Sequence, residues 1–233
     1  MDRRSPGTVP LSGRLRAFVL LLVGILLVYA AIIVIDDFTV SGAPKVAVLG
    51  ALLVGAAWTR RHSSARLAAF GVVSAVLVLV VLAVSVAGPV RLAFGVSGAA
   101  MVLLSVGTVA MLIATLAAVR RVDFSTVLGV LCVYLLIALI FAALGQVGAA
   151  FQYGQDQFVR GVVGPPSPSD LLYFSVITLC TVGYGDIAPV SAVARALAVI
   201  EALVGQLYLV SIVAAVIAGW QVGGTARAER KDR

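Results

Sequence analysis

Charge is what this sequence has least of. Only 12% of its 233 residues are Asp, Glu, Lys or Arg, while 62% are hydrophobic. A water-soluble domain carries about a quarter of its residues as charges, because something must face water. This chain cannot clothe a globular surface, so lipid is its solvent. Acidic residues number 10 against 17 basic ones, and histidine occurs once, at His62 beside Arg60 and Arg61. Paired catalytic carboxylates, metal-ligand clusters, nucleophile motifs and phosphate loops are all missing, which argues against an enzyme. The two cysteines, Cys132 and Cys180, lie in apolar segments and offer no disulfide framework. A net charge of +7 invites a nucleic-acid reading. The basic residues fall in short clusters between apolar runs rather than along one polar face, so no nucleic-acid partner is expected.

What is abundant is the long charge-free run. Ala17 to Ile35, Leu67 to Val90, Leu92 to Val119, Phe124 to Gln155 and Ala202 to Ala226 are each long enough to cross a hydrocarbon core of about 30 Å as a helix. Val40 to Thr59 joins them if Lys45 snorkels. Gly88, Pro89 and Arg91 break the third run from the fourth and predict a tight membrane hairpin. The expected fold is an all-α membrane protein with six transmembrane helices. The first run exceeds the apolar core of a signal peptide and ends in Asp36 and Asp37 without a clear cleavage site, so it reads as a span.

Orientation follows from the loops. Arg3, Arg4, Arg14, Arg16, Arg60, Arg61, Arg66, Arg120, Arg121, Arg227, Arg230, Lys231 and Arg233 fall on one side, 13 of the 17 basic residues. The opposite loops hold Lys45, Arg91, Arg160 and Arg195 together with Asp36, Asp37, Asp156, Asp170 and Asp186. Positive charge stays in the cytoplasm, which puts both termini there in a multi-pass cell-membrane protein. Trp58 and Trp220 then fall at the inner interface.

The chemistry is concentrated between the fifth and sixth spans. Asp170 follows a proline-rich stretch and is the expected N-cap of a short helix ending near Cys180. That helix is too short to span, so it re-enters the membrane and stops partway, where protein or water must shelter the loose backbone. Thr181-Val182-Gly183-Tyr184-Gly185 follows. Successive carbonyls can turn toward one axis only if the backbone alternates between ordinary and left-handed conformations, and Gly183 and Gly185 tolerate the latter. Four such strands around an axis would present rings of carbonyl oxygens and a ring of Thr181 hydroxyls to a dehydrated cation. Gly183, Gly185 and Ala188 also fit a loose dinucleotide-binding fingerprint, but no strand precedes them and no soluble βαβ unit surrounds them.

Here the sequence resembles the tetrameric potassium channel family, whose selectivity filter is this five-residue loop. The likeness runs from Val122 to Val222: an outer helix, a linker with Pro165 and Pro166, a pore helix, the filter with Asp186 immediately after it, Pro189, and an inner helix. The resemblance implies K+ as the permeant ion and no other cofactor, with ligands from the carbonyls of Thr181, Val182, Gly183 and Tyr184 and from the Thr181 side chain. It implies three further copies of the chain and membrane lipid as partners. The implied organisation is a four-helix region over 1–121, a two-helix pore domain over 122–222 and a short basic cytoplasmic tail over 223–233. Active potassium transporters related to channels carry several degenerate filters per chain, whereas this chain has one complete motif; a transporter subunit and a non-conducting assembly subunit are the competing readings.

Around the loop the resemblance and the residues raise particular expectations. Tyr184 packs into an aromatic cuff against Tyr173 and Phe174, or those two rings face lipid. Asp186 accepts a hydrogen bond behind the filter, with Tyr173 as donor, or is simply solvated. Some relatives place a glutamate in the pore helix opposite this aspartate; here Ile177 stands there, so that pair is absent. Cys180 faces the cavity within reach of thiol reagents, or is packed and inert. Glu201 is the one acidic residue well inside a span, a costly position without a partner or water. It bonds behind the filter, to Thr178, or titrates, or sits shallower against outer water. Gly205, on nearly the same face, is a hinge or a point of close helix contact, while Gln206 and Tyr208 line the cavity or bond a neighbour. The fourth span holds no Arg or Lys, which excludes an S4-type voltage sensor, and the chain after Trp220 is too short for a nucleotide- or calcium-binding domain.

Overall fold

A backbone in lipid must satisfy its own amides, so charge-free runs of this length coil. The computed structural model describes residues 11–34, 64–117, 123–152 and 157–229. Helices lie where the runs predict them: α1 (Leu11–Val34), α2 (Ser64–Ala87), α3 (Val90–Ala117), α4 (Phe124–Phe151), the short α5 (Pro168–Leu179) and α6 (Ala192–Glu229). Two-residue strands β1 (Val159–Arg160) and β2 (Ala188–Pro189) pair antiparallel, with Val159 opposite Pro189. Four of the described helices are long and apolar enough to cross a membrane, over Leu15–Val34, Val90–Ala117, Phe124–Phe151 and Ala192–Ile212. α2 is helical at the expected third span, with a shorter apolar stretch, Val72–Ala87. The expected second span, Val40 to Thr59, lies outside the described residues.

The last helix starts well before Ala202. Ser191 Oγ accepts the Ala194 amide at 3.1 Å and caps it, so Arg195 and Glu201 both lie inside the helix. A boundary drawn where charges stop misses this, because a helix carries a buried carboxyl wherever a neighbour supplies a polar partner.

α4 is the hub, packing against α1, α3, α5 and α6. Lipid tails are as apolar as leucine, so burial alone does not hold membrane helices together; close packing and interhelical hydrogen bonds do. Ile25, Val28, Ile32, Leu136 and Leu139 form the dry seam of α1 and α4. The Tyr29 hydroxyl crosses it to the Leu135 carbonyl at 2.7 Å. Between α3 and α4, the buried Gln146 amide donates to the Phe94 carbonyl at 2.9 Å and to Ser97 Oγ at 2.8 Å. The α2–α3 turn at Gly88 and Pro89 is tight, as predicted, and it delivers Arg91 to the C-terminal end of α4. There the Arg91 guanidinium donates to the carbonyls of Ala150 (2.8 Å) and Phe151 (3.2 Å), which have no partner within the helix. At the other end Asp123 caps α4: its Oδ1 accepts the Thr126 amide at 2.9 Å, and Thr126 Oγ1 accepts the Asp123 amide at 3.4 Å.

Candidate functional site

α5 begins earlier than its acidic residue suggests. Ser167, not Asp170, is the N-cap. Ser167 Oγ accepts the Asp170 amide at 3.1 Å, and Asp170 Oδ2 accepts the Ser167 amide at 2.9 Å. Pro168 fits the first helical position, where its fixed φ suits the helix and its missing N–H costs nothing. Asp170 is thus the third residue of a capping box, with its charge at the positive end of the helix.

The other end of α5 is closed by the glycine-bearing loop itself. Cys180 is the C-cap, one residue past the helix. The Thr181 amide donates to the Thr178 carbonyl at 3.0 Å, and the Val182 amide reaches back to the Ile177 carbonyl at 2.8 Å. This is the paired pattern of a Schellman cap, which needs a left-handed residue just past the C-cap. Thr181 takes that conformation at φ 57°. Gly183 (φ 50°) and Gly185 (φ 81°) repeat it at every second residue, while Val182 and Tyr184 keep negative φ. The alternation expected of the two glycines is present and starts one step earlier, on a threonine held by the cap. A Cβ on Gly183 or Gly185 would meet no atom of the same chain within 4 Å, so glycine supplies conformation there rather than room.

Cys180 through Asp186 are all exposed in the single chain. Tyr184 is 72% exposed, so its ring is not enclosed by Tyr173 and Phe174 of the same chain; Phe174 packs instead against the buried cluster that includes Phe158 and Leu171. Beyond the loop, the Tyr173 hydroxyl donates to Asp186 Oδ2 at 2.7 Å. That bond holds the Asp186 carboxyl below its ordinary range and pushes the Tyr173 hydroxyl up to about 12. Ile187 then turns into a small cluster with Phe158 and Leu171. Gly161, at φ 94°, lies so close to the Asp186 carbonyl that a Cβ would collide with its oxygen. The strand pair therefore clamps the chain where it leaves the loop.

Behind α5, two residues one turn apart meet two residues one turn apart on α6. Glu201, only 2% exposed, is hydrogen-bonded to Ser175, and Ser175 Oγ also lies 2.7 Å from the Ala138 carbonyl of α4. One turn on, Gly205 faces Leu179, where a Cβ would stand 2.6 Å from the Leu179 carbonyl oxygen. Tyr134 of α4 donates to that same oxygen at 3.0 Å. Thr178, the expected partner of Glu201, is turned about 100° from Leu179 around the helix; its carbonyl serves the cap. Glu201 is buried, so the shallow placement against outer water does not hold. At Gly205 the observed contact is close packing, and α6 is continuously helical through it.

Tyr208 bonds a neighbouring helix: it stacks on Tyr134 at 5.7 Å between ring centroids and donates to the Val130 carbonyl at 2.7 Å. Gln206 is exposed. Cys132 is fully buried, and its thiol points to the Phe18 carbonyl at 3.8 Å; Cys180 is exposed, 3.7 Å from the Tyr134 hydroxyl. Sequence reasoning gave no role to Ser167, Ser175, Tyr134 and Gln146, and read Arg91 only as a helix break and a loop charge. The available signal was polarity inside apolar runs, since such groups in lipid need partners.

A short capped helix and a loop of alternating backbone hand, open at its tip, lie between two long apolar helices. Residues 129–220 match the family model described as "Ion channel". The chain is 46% identical over 43 residues to the protein named Two pore potassium channel c of Oryza sativa subsp. japonica, covering 18% of this chain and 9% of that one. It is 42% identical over 48 residues to Two-pore potassium channel 5 of Arabidopsis thaliana, covering 21% and 12%. The matched stretches thus span about a tenth of those relatives. No solved structure matches the chain. Residues 129–220 are thus similar to an ion-channel family, and shorter stretches are similar to two proteins named as potassium channels.

Proposed function

We propose that the chain is one subunit of a potassium-selective channel in which four copies surround a single pore and K+ passes down its gradient. The observation that carries this reading is the loop. Its backbone alternates in hand at Thr181, Gly183 and Gly185, and it stands exposed on a buttressed helix. Alternation of that kind turns successive carbonyls the same way, and one such loop per chain makes a closed ring only with others. The ion ligands are then the carbonyls of Thr181, Val182, Gly183 and Tyr184 with the Thr181 hydroxyl, and Tyr184 completes its cuff against rings of an adjacent copy. α5 is re-entrant, the chain crosses the cell membrane six times with both termini cytoplasmic, and residues 1–121 form a collar that moves no S4-type gating charge. The two-helix pore occupies 122–222, and 223–233 is its cytoplasmic tail.

The test is ion flux into liposomes holding the purified protein. The wild type takes up K+ in preference to Na+, Tyr184→Asp loses that preference, and cross-linking yields a four-subunit ladder. Uptake without preference for K+ contradicts the proposal.

A further inference from the structure

The contacts behind α5 contain more oxygens than protons. Ser175 Oγ carries one hydrogen and stands within hydrogen-bond distance of two oxygens, the Ala138 carbonyl and Glu201 Oε1. The carbonyl can only accept. If Glu201 were a carboxylate it also could only accept, and one of the two close O···O contacts would be left without a proton. The arrangement closes if the second proton belongs to Glu201: the acid donates to Ser175, and Ser175 donates to Ala138. Burial points the same way, because Glu201 is 2% exposed and, among the described residues, no cation pairs with it. A carboxylate removed from water without a cation is costly, whereas a neutral acid with a hydrogen-bond partner is not.

We propose that Glu201 is held as the neutral acid and is a positioning residue of the pore, tying α6 to α5 and, through Ser175, α5 to α4. This deepens the channel reading, on which its functional half rests. Loss of the proton leaves Ser175 to donate to Glu201 instead, so the tie to the Ala138 carbonyl is lost and α5 is freed on its α4 side. The other titratable groups near the carboxyl are the phenols of Tyr29 from α1 and Tyr134 from α4. Both are engaged, with the Leu135 and Leu179 carbonyls. The Cys180 thiol lies beside Tyr134.

Two measurements on the full-length protein in liposomes test this. Infrared spectroscopy of the wild type at neutral pH shows a protonated-carboxyl absorption that titrates away on the alkaline side and is missing from Glu201→Gln. Potassium flux in the wild type is flat through neutral pH, then falls by about tenfold per pH unit for each proton whose loss closes the pore. Glu201→Gln keeps a donor for Ser175, so it conducts like the wild type at neutral pH and loses the alkaline decline. Should the variant fail to assemble, the wild-type infrared titration still decides the protonation state. No protonated carboxyl at neutral pH, or an alkaline decline that persists in Glu201→Gln, overturns the proposal. Absence of potassium flux with the infrared band present would instead count against the channel reading.

Discussion

α4 and α6 flank the same short helix and are both long and apolar enough to cross a membrane, yet the chain treats them differently. In the most apolar stretch of α4, 44% of the residues are buried, against 17% for α6. The same polypeptide packs α4 on several sides: α1 through Tyr29, α3 through Gln146, α5 through Ser175, and Arg91 at its end. α6 uses one face, carrying Glu201, Gly205 and Tyr208, and leaves Val199, Ile200, Leu203, Leu207 and Val210 exposed. The exposed loop follows the same division. One polypeptide completes the scaffold that holds the loop but not the surroundings of the loop itself. Under the tetramer reading, further copies and lipid cover what is open.

The contrast can be broken first where the two helices share a contact. Gly205→Ala places a methyl group against the Leu179 carbonyl and its side chain, at 2.6 to 2.8 Å. Backbone cannot yield as a side-chain tip would, so the protein should lose about 1–3 kcal/mol, the usual cost of overpacking. Thermal denaturation in detergent reads this, and an unchanged midpoint would show that α5 and α6 are less tightly joined than described.

A smaller loss is expected on the scaffold side. Arg91→Met removes the donors at the C-terminal end of α4 and a favourable charge there, together worth about 0.3–1 kcal/mol. The same melting assay should find Arg91→Lys intermediate. If Arg91→Met melts like the wild type, the hairpin only passes near α4 without bracing it.

The smallest effect belongs to the loop's outer support, and it depends on pH. Asp186 is held below the ordinary carboxylate range by the Tyr173 hydroxyl. A carboxyl lowered on folding contributes stability that is present above the ordinary range and lost as pH falls through its folded value. Tyr173→Phe should therefore melt slightly lower than the wild type at neutral pH and converge with it in acid. Parallel curves across the acid range would remove the bond from the account.

Much of this architecture was legible because lipid imposes a simple rule on sequence. Charge-free runs marked the helices, Gly88 and Pro89 marked their break, and the alternation of Thr181 to Gly185 is a local property of five residues. What stayed illegible depends on register between elements. Ser175 and Thr178 are equally polar, and only the rotation of α5 against α6 makes Ser175 the partner of Glu201. The start of α6 was misplaced because Arg195 was read as a loop charge and the charge-free run begins only at Ala202, whereas the helix starts at Ala192. Ser167 lost the N-cap to Asp170 on paper because a capping box uses both, and only the reciprocal bonds tell which residue precedes the helix.

The measurement that bears most directly on the channel reading is the reversal potential of the purified wild-type protein in a planar bilayer, with K+ on one side and Na+ on the other. A loop whose carbonyls replace the hydration shell of K+ predicts a potential set by the potassium gradient. A potential near zero, with both ions carrying current equally, contradicts it.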